Sequence, residues 1–82
     1  AIRPEFITRL YFAQKLFPKI IPKLFKDESA DIDSAIIRLE TNQKGIPPEQ
    51  PFNRLSLDLR IRQLHSVRTW LIECRKAFEV NA

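Results

Sequence analysis

The 82-residue sequence contains one glycine, one cysteine and one histidine. A single glycine excludes the glycine-rich loops that cradle phosphate groups in nucleotide-binding motifs. A single cysteine, Cys74, can form neither an internal disulfide nor a zinc site by itself. Since a disulfide framework is absent, we expect an intracellular protein of the cytoplasm or the nucleus.

Long apolar segments are also missing. No apolar run approaches the ~20 residues that a membrane-spanning helix requires, so we expect no membrane partner. The N-terminus lacks the pattern of a secretory signal. Residues 1–6 (AIRPEF) show no periodicity, and Glu5-Phe6 is what a common cloning site encodes. We treat residues 1–6 as a vector-derived tail and residues 7–82 as a single helical domain.

The sequence offers no catalytic or metal-binding constellation. His65 and Cys74 lie nine residues apart on one expected helix, a separation of ~13 Å along its axis, so they cannot form a nucleophile–base pair. The acidic residues between 27 and 33 lack the spacing of a calcium loop and suit the start of a helix. We therefore predict a protein that is not an enzyme and has no cofactor, metal or small-molecule substrate.

The C-terminal part, residues 53–81, has the clearest periodicity. Its apolar residues recur at three- and four-residue steps, which predicts a long amphipathic helix. They are Leu57, Ile61, Leu64, Val67, Leu71, Cys74 and Phe78. A helix of ~25 residues is ~37 Å long, whereas a compact domain of this size is ~30 Å across. The helix should therefore bend or break near His65-Ser66, or overhang and dock onto another chain.

Three further segments precede this helix. Residues 6–17 should form a helix that Pro18 either ends or kinks. Residues 18–26 should form short turns, with Pro22 opening a brief helix. A helix from about Ser29 to Gln43 should be capped by its acidic N-terminal residues and closed by a left-handed Gly45. The proline-rich residues 46–52 should be a stiff connector, after which Asn53 or Ser56 caps the last helix.

Together these segments predict an all-α fold, a small bundle of three to four helices with a long C-terminal helix. Its predicted core consists of Leu10, Phe17, Ile21, Ile36, Leu39, Leu57, Ile61, Leu64, Leu71 and Phe78.

Large apolar residues outside the core stripe indicate an interaction surface. Leu59 and Ile72 project away from the stripe of the last helix, which hints at a second apolar surface. Trp70 lies at the edge of the stripe, either as a core residue with its indole N–H at the rim or as an anchor for a partner. Together with Arg62 and Arg68, these residues predict a protein–protein interaction module of a larger protein. It would bind a partner helix or self-associate through its C-terminal helix.

Charge supports an alternative. The net charge is +4, and the chain is basic, then acidic from 27 to 50, then basic again. Basic residues on the last helix could contact the phosphates of a nucleic acid. These candidates are Arg54, Arg60, Arg62, Arg68, Arg75 and Lys76. However, the acidic middle of the chain should pair with one basic flank, so nucleic-acid binding stays the second hypothesis.

Overall fold

The computed structural model describes residues 4–80, which form helices joined by short turns. The elements, in chain order, are α1 (Pro4–Leu16), a 3₁₀ turn (Pro18–Ile20), α2 (Ile21–Lys44) and α3 (Pro51–Val80). No β-strand occurs among the described residues, so the predicted all-α class is confirmed. Of the tail assigned to residues 1–6, residues 1–3 lie outside the described range, whereas Phe6 is a buried residue of α1.

Two prolines set the junction between α1 and α2. Pro18 follows the end of α1, and Phe17 before it has left the helical conformation, with φ −142° and ψ 63°. Pro22 occupies the first turn of α2, where its missing N–H would have had no helical partner. The helix therefore tolerates Pro22 and continues to Lys44. The predicted start near Ser29 is wrong, and the acidic residues expected to cap it lie inside α2.

The end of α2 lies at Gly45, as expected, but in another conformation. The Gly45 N–H donates to the Asn42 carbonyl oxygen at 3.1 Å, and the Ile46 N–H donates to the Gln43 carbonyl oxygen at 3.2 Å. Gly45 has φ −85° and ψ −5°, which are right-handed values open to other residues. The predicted left-handed cap is therefore wrong, because tightened hydrogen bonds satisfy the last carbonyls instead.

Gln50 starts α3. Its carbonyl oxygen accepts the Arg54 N–H at 3.3 Å, and its side-chain Oε1 accepts a hydrogen bond from Asn53 Nδ2 at 2.7 Å. Pro51 follows as the first helical residue, a position that suits its fixed φ. Asn53 and Ser56 consequently lie within the helix, and the prediction that one of them caps it is wrong.

Helix α3 passes through His65-Ser66 without interruption, so of the alternatives expected from its length, a break at this point is not found. The fold accommodates the long helix by being elongated, with extents of 52 × 17 × 17 Å. Its radius of gyration is 15.8 Å, compared with about 12 Å for a compact domain of this length. Among the described residues, no helix is both long enough and apolar enough to cross a bilayer.

An aromatic cluster joins the three helices. The Phe25 side chain of α2 is 1% exposed, and its ring centroid lies 5.7 Å from that of Phe6 on α1 and 5.6 Å from that of Phe78 on α3. Both contacts are edge-to-face, a favourable arrangement for aromatic rings. Phe25 therefore connects α1 to the hairpin that α2 and α3 form.

The predicted core is largely found. Six of its residues are buried, namely Leu10, Ile36, Leu39, Ile61, Leu64 and Leu71. Three others pack against them while partly exposed, namely Ile21, Leu57 and Phe78. Phe17 is a wrong prediction, since it is 64% exposed. It lies beyond the end of α1 in a non-helical conformation, so the helical spacing that placed it on the stripe of Leu10 no longer applies.

Candidate interaction surface

The outer face of α3 carries large apolar side chains that contact solvent. Leu59 is 59% exposed and Trp70 is 39% exposed. They are eleven residues apart, which is close to three full helical turns, so they lie within ~20° of each other around the α3 axis. This face is opposite the one that buries Ile61 and Leu64.

Two further residues, which the sequence analysis missed, extend this face. Phe52 is 82% exposed and Leu55 is 63% exposed. Both precede Leu59 at helical spacing. Phe52 belongs to α3 because the helix begins at Pro51, within the segment that was assigned to the connector, whereas Leu55 lies inside the helix as expected. The three- and four-residue steps from Phe52 to Leu59 were the available signal. We call these four residues, Phe52, Leu55, Leu59 and Trp70, the outer stripe.

Ile72 does not belong to the outer stripe. It is 50% exposed, as its position off the core stripe suggested. It follows Trp70 by two residues, which turns its side chain ~200° around the helix. It lies instead one turn beyond Arg68, whose side chain pairs with Asp33 of α2. The structure therefore separates Ile72 from Leu59 and Trp70.

Arg62 borders the outer stripe and has an acidic neighbour. Its Nε donates to Asp58 Oδ2 at 2.8 Å, one helical turn away. Both side chains are well exposed, so the pair adds little stability. Its effect is to leave the edge of the outer stripe close to electrically neutral.

Arg68 faces away from the outer stripe and pairs with α2. Its Nε lies 3.1 Å from Asp33 Oδ1. That oxygen is shielded from solvent and accepts no aligned hydrogen bond, so the contact is an ion pair. It realises the expected pairing between the acidic middle and a basic flank. Of the five predicted partner-binding residues, the structure brings together Leu59, Arg62 and Trp70, and it places Arg68 and Ile72 elsewhere.

The six basic residues of the alternative hypothesis do not share one face. Arg60 and Arg62 are two positions apart and so project ~200° from each other around α3. Arg62 and Arg68 are both paired with carboxylates, as described above. Arg54 and Lys76 lie near opposite ends of the helix. A nucleic-acid backbone following α3 would therefore meet only some of these charges at once.

A second basic site arises where α2 begins. Arg75 of α3 meets the first turns of α2 around an open surface concavity of ≈ 670 Å³. Its lining residues are Pro22, Lys23, Lys26, Asp27 and Arg75. The lining of this concavity contains three cationic side chains and one carboxylate. Basic residues of both flanks therefore converge at this concavity.

The reactive side chains remain apart. His65 is exposed, and Cys74 lies nine residues further along the same continuous helix. Burial raises the pKa of the Cys74 thiol, which makes it a poorer nucleophile at neutral pH. Within residues 4–80, no three His, Cys, Asp or Glu side chains are grouped closely enough to hold a metal ion.

Comparison with known proteins gives no match, whether to family models, to curated proteins or to solved structures.

Proposed function

We propose that this chain is a non-enzymatic helical protein–protein interaction module of a larger intracellular protein, and that the outer stripe of α3 is its docking surface. The observation that carries the proposal is the exposure of Leu59 and Trp70 on one face of an uninterrupted helix. Large exposed apolar side chains aligned on one face are typical of surfaces that a partner covers. A partner helix would meet them at regular spacing.

The chemistry of the outer stripe indicates what kind of partner helix it binds. Phe52, Leu59 and Trp70 extend over ~27 Å of α3, a length suited to a helix of about five turns. Asp58 compensates the charge of Arg62, so apolar contact should provide most of the affinity. Trp70 is the expected anchor, because tryptophan contributes a large contact area and a hydrogen-bonding N–H.

The proposed compartment is the cytoplasm or the nucleus. Its support is the lone, partly buried Cys74, which needs no oxidising environment.

A capture experiment with matched variants tests the proposal. The wild-type chain, Leu59→Glu and Ile72→Glu would be immobilised, and the proteins bound from a cell extract would be quantified. We expect Leu59→Glu to lose partners that Ile72→Glu retains, because only Leu59 lies on the outer stripe. Ile72 is a matched control, since leucine and isoleucine are equal in size and both side chains are exposed. Anchor residues of interfaces typically contribute about 2 kcal/mol, which is about thirtyfold in affinity. The opposite pattern would show that the docking surface is on the other side of α3.

The concavity between α2 and α3 favours one alternative, binding of nucleic acid. Lys23, Lys26 and Arg75 could contact backbone phosphates there. Fluorescence anisotropy with duplex DNA and with single-stranded RNA, measured over a series of salt concentrations, would test it. Binding that weakens steeply with salt, is lost in Lys23→Ala/Lys26→Ala and is unaffected by Leu59→Glu would support this alternative over the interaction module.

A further inference from the structure

We infer that the partner of the outer stripe is a second copy of this chain, docked antiparallel across a two-fold axis at Ser66. This inference rests on the proposed function, since it uses the same face of α3 and names its occupant.

The spacing of residues on this face is symmetric about Ser66. Residues of the face lie four, seven and eleven positions before Ser66 and the same numbers of positions after it. They are Leu55, Leu59, Arg62, Trp70, Glu73 and Ala77. An antiparallel two-fold places position 66 − n of one copy opposite position 66 + n of the other, so each residue of the face meets another residue of the face.

The pairs that result are complementary in size. Leu55 meets Ala77 of the second copy, a large side chain against a small one. Ser66 meets Ser66 of the second copy on the axis itself, where a small residue lets the two helices approach closely. Leu59 lies opposite Glu73 of the second copy, and the indole ring of Trp70, one turn from Glu73, is within reach of the same leucine side chain.

The charges are complementary as well. Arg62 faces Trp70 of the second copy, an arrangement suited to a cation–π contact. Glu73 of the second copy lies one turn further along, within reach of the same guanidinium, whose other nitrogens remain after Nε donates to Asp58. The two-fold forms each of these contacts twice. A face that carries one arginine and one glutamate therefore fits a reversed copy of itself better than an acidic helix.

The surface area and shape of the chain agree with this arrangement. The accessible surface is 6483 Å², whereas a compact monomer of this mass exposes about 5,100 Å². The excess is larger than the ~800 Å² that each partner buries in a standard interface. Two 52 Å rods placed side by side would give a more compact particle than either rod alone.

Sedimentation equilibrium measures the association directly. We expect the molar mass to rise with concentration from 9.7 kDa toward twice that value. Leu59→Glu should keep the chain monomeric, because a carboxylate at position 59 faces Glu73 of the second copy. Ile72→Glu, on another side of α3, should dimerise as the wild type does. Circular dichroism would establish that both variants retain the helical content of the wild type.

A charge exchange tests the register. Arg62→Glu alone and Glu73→Arg alone each place like charges across the interface and should weaken the dimer about tenfold or more. An equimolar mixture of the two variants should form a heterodimer, because every 62–73 contact in it joins opposite charges. Failure of the mixture to associate more strongly than either variant alone would overturn the proposed register.

Cysteine cross-linking tests the direction of the two helices. In a Cys74→Ser background, Ser66→Cys should form a disulfide-linked dimer under mild oxidation. Ala77→Cys should not, because the two copies of position 77 lie ~33 Å apart along an antiparallel pair. Efficient linkage at position 77 would indicate a parallel pair and overturn the inference.

These outcomes also separate the inference from the proposed function. A chain that stays monomeric up to about 1 mM, where even weak interfaces associate, has no self-association of this kind. If Leu59→Glu nevertheless loses captured partners that Ile72→Glu keeps, the outer stripe docks a different protein and only the inference fails. If Ile72→Glu abolishes both dimer and capture while Leu59→Glu changes neither, the proposed function fails with it.

Discussion

The Arg68 Nε of α3 lies 3.1 Å from Asp33 Oδ1 of α2, and this ion pair crosses the middle of the helical hairpin. The pair joins Asp33, which follows the buried Ile32, to Arg68, which lies about one turn before the buried Leu71. Because Asp33 Oδ1 is shielded from solvent without a hydrogen bond, Arg68 supplies the compensating charge for this carboxylate.

Breaking this pair should have a small, salt-dependent effect on stability. Both side chains are nearly half exposed, so Arg68→Ala should lower the free energy of unfolding by less than about 1 kcal/mol at low salt. The loss should shrink as added salt screens the charges. Urea denaturation of Arg68→Ala, Asp33→Ala and the double variant would give the coupling energy. A coupling of several kcal/mol that salt does not change would show that the pair is effectively buried.

Truncation at Phe25 should be far more damaging. Phe25→Ala removes the ring that contacts Phe6 and Phe78 and leaves a cavity, a change that typically costs about 3–5 kcal/mol. Domains of this size have a total stability near the low end of about 5–15 kcal/mol, so this variant should keep about 2 kcal/mol of stability or less. Phe17→Ala is the matched control, since Phe17 is exposed and should contribute within about 0.5 kcal/mol. Urea denaturation followed by circular dichroism compares the two, and equal losses would contradict the aromatic cluster.

Gly45→Ala should stabilise the protein. The backbone at Gly45 has right-handed values, and an added Cβ would meet the Asn42 carbonyl oxygen at 3.6 Å, an ordinary contact. Replacing glycine by alanine at such a site reduces the entropy of the unfolded chain and adds about 0.4–1 kcal/mol. Thermal denaturation would detect the gain. A loss of similar size would mean that Gly45 adopts the left-handed cap expected from the sequence.

Cys74 should react slowly with thiol reagents at neutral pH. Burial raises the pKa of its thiol and therefore lowers the thiolate fraction that reagents attack. Because the folded chain holds this proton more tightly, its contribution to stability is present below the unfolded pKa of about 8.5 and is lost as pH rises above it. Alkylation rates over a pH series, with and without urea, would measure the first effect. The stability of Cys74→Ser should not show this loss at high pH. A fast reaction of Cys74 at pH 7 in the folded state would contradict the raised pKa on which both expectations depend.

The helical class and most of the core could be predicted because periodicity depends only on spacing along one helix. Leu10, Ile36, Ile61 and Leu71 were identified in this way and are buried. The exposure of Phe17 could not be predicted by the same rule, because the rule assumes that the helix continues through that residue. Pro18 ends α1 one residue earlier and turns the ring outward.

The predicted helix boundaries were wrong where more than one position in the sequence suits the start of a helix. Acidic residues near Ser29 suit a helix start, and Pro22 suits one as well. The helix begins at the earlier of these two sites and so includes Leu24 and Phe25, which are buried. For the candidate site, the exposure of Leu59 and Ile72 could be predicted from the sequence. Their placement on different sides of α3 follows only when the angle between the two side chains around the helix axis is considered. A late estimate of where α3 begins hid Phe52, whereas Leu55 was inside the expected helix and its exposed position was overlooked.

Helix α1 is held to the rest of the molecule by few buried side chains, chiefly Phe6, Leu10 and Ala13. Its detachment would unfold one short helix, while the hairpin of α2 and α3 could persist. The amide protons of α1 should accordingly exchange with solvent ahead of those in the other helices. In that opened form the Phe25 ring would meet water, so conditions that loosen the N-terminal helix should make the chain prone to aggregate before it unfolds completely.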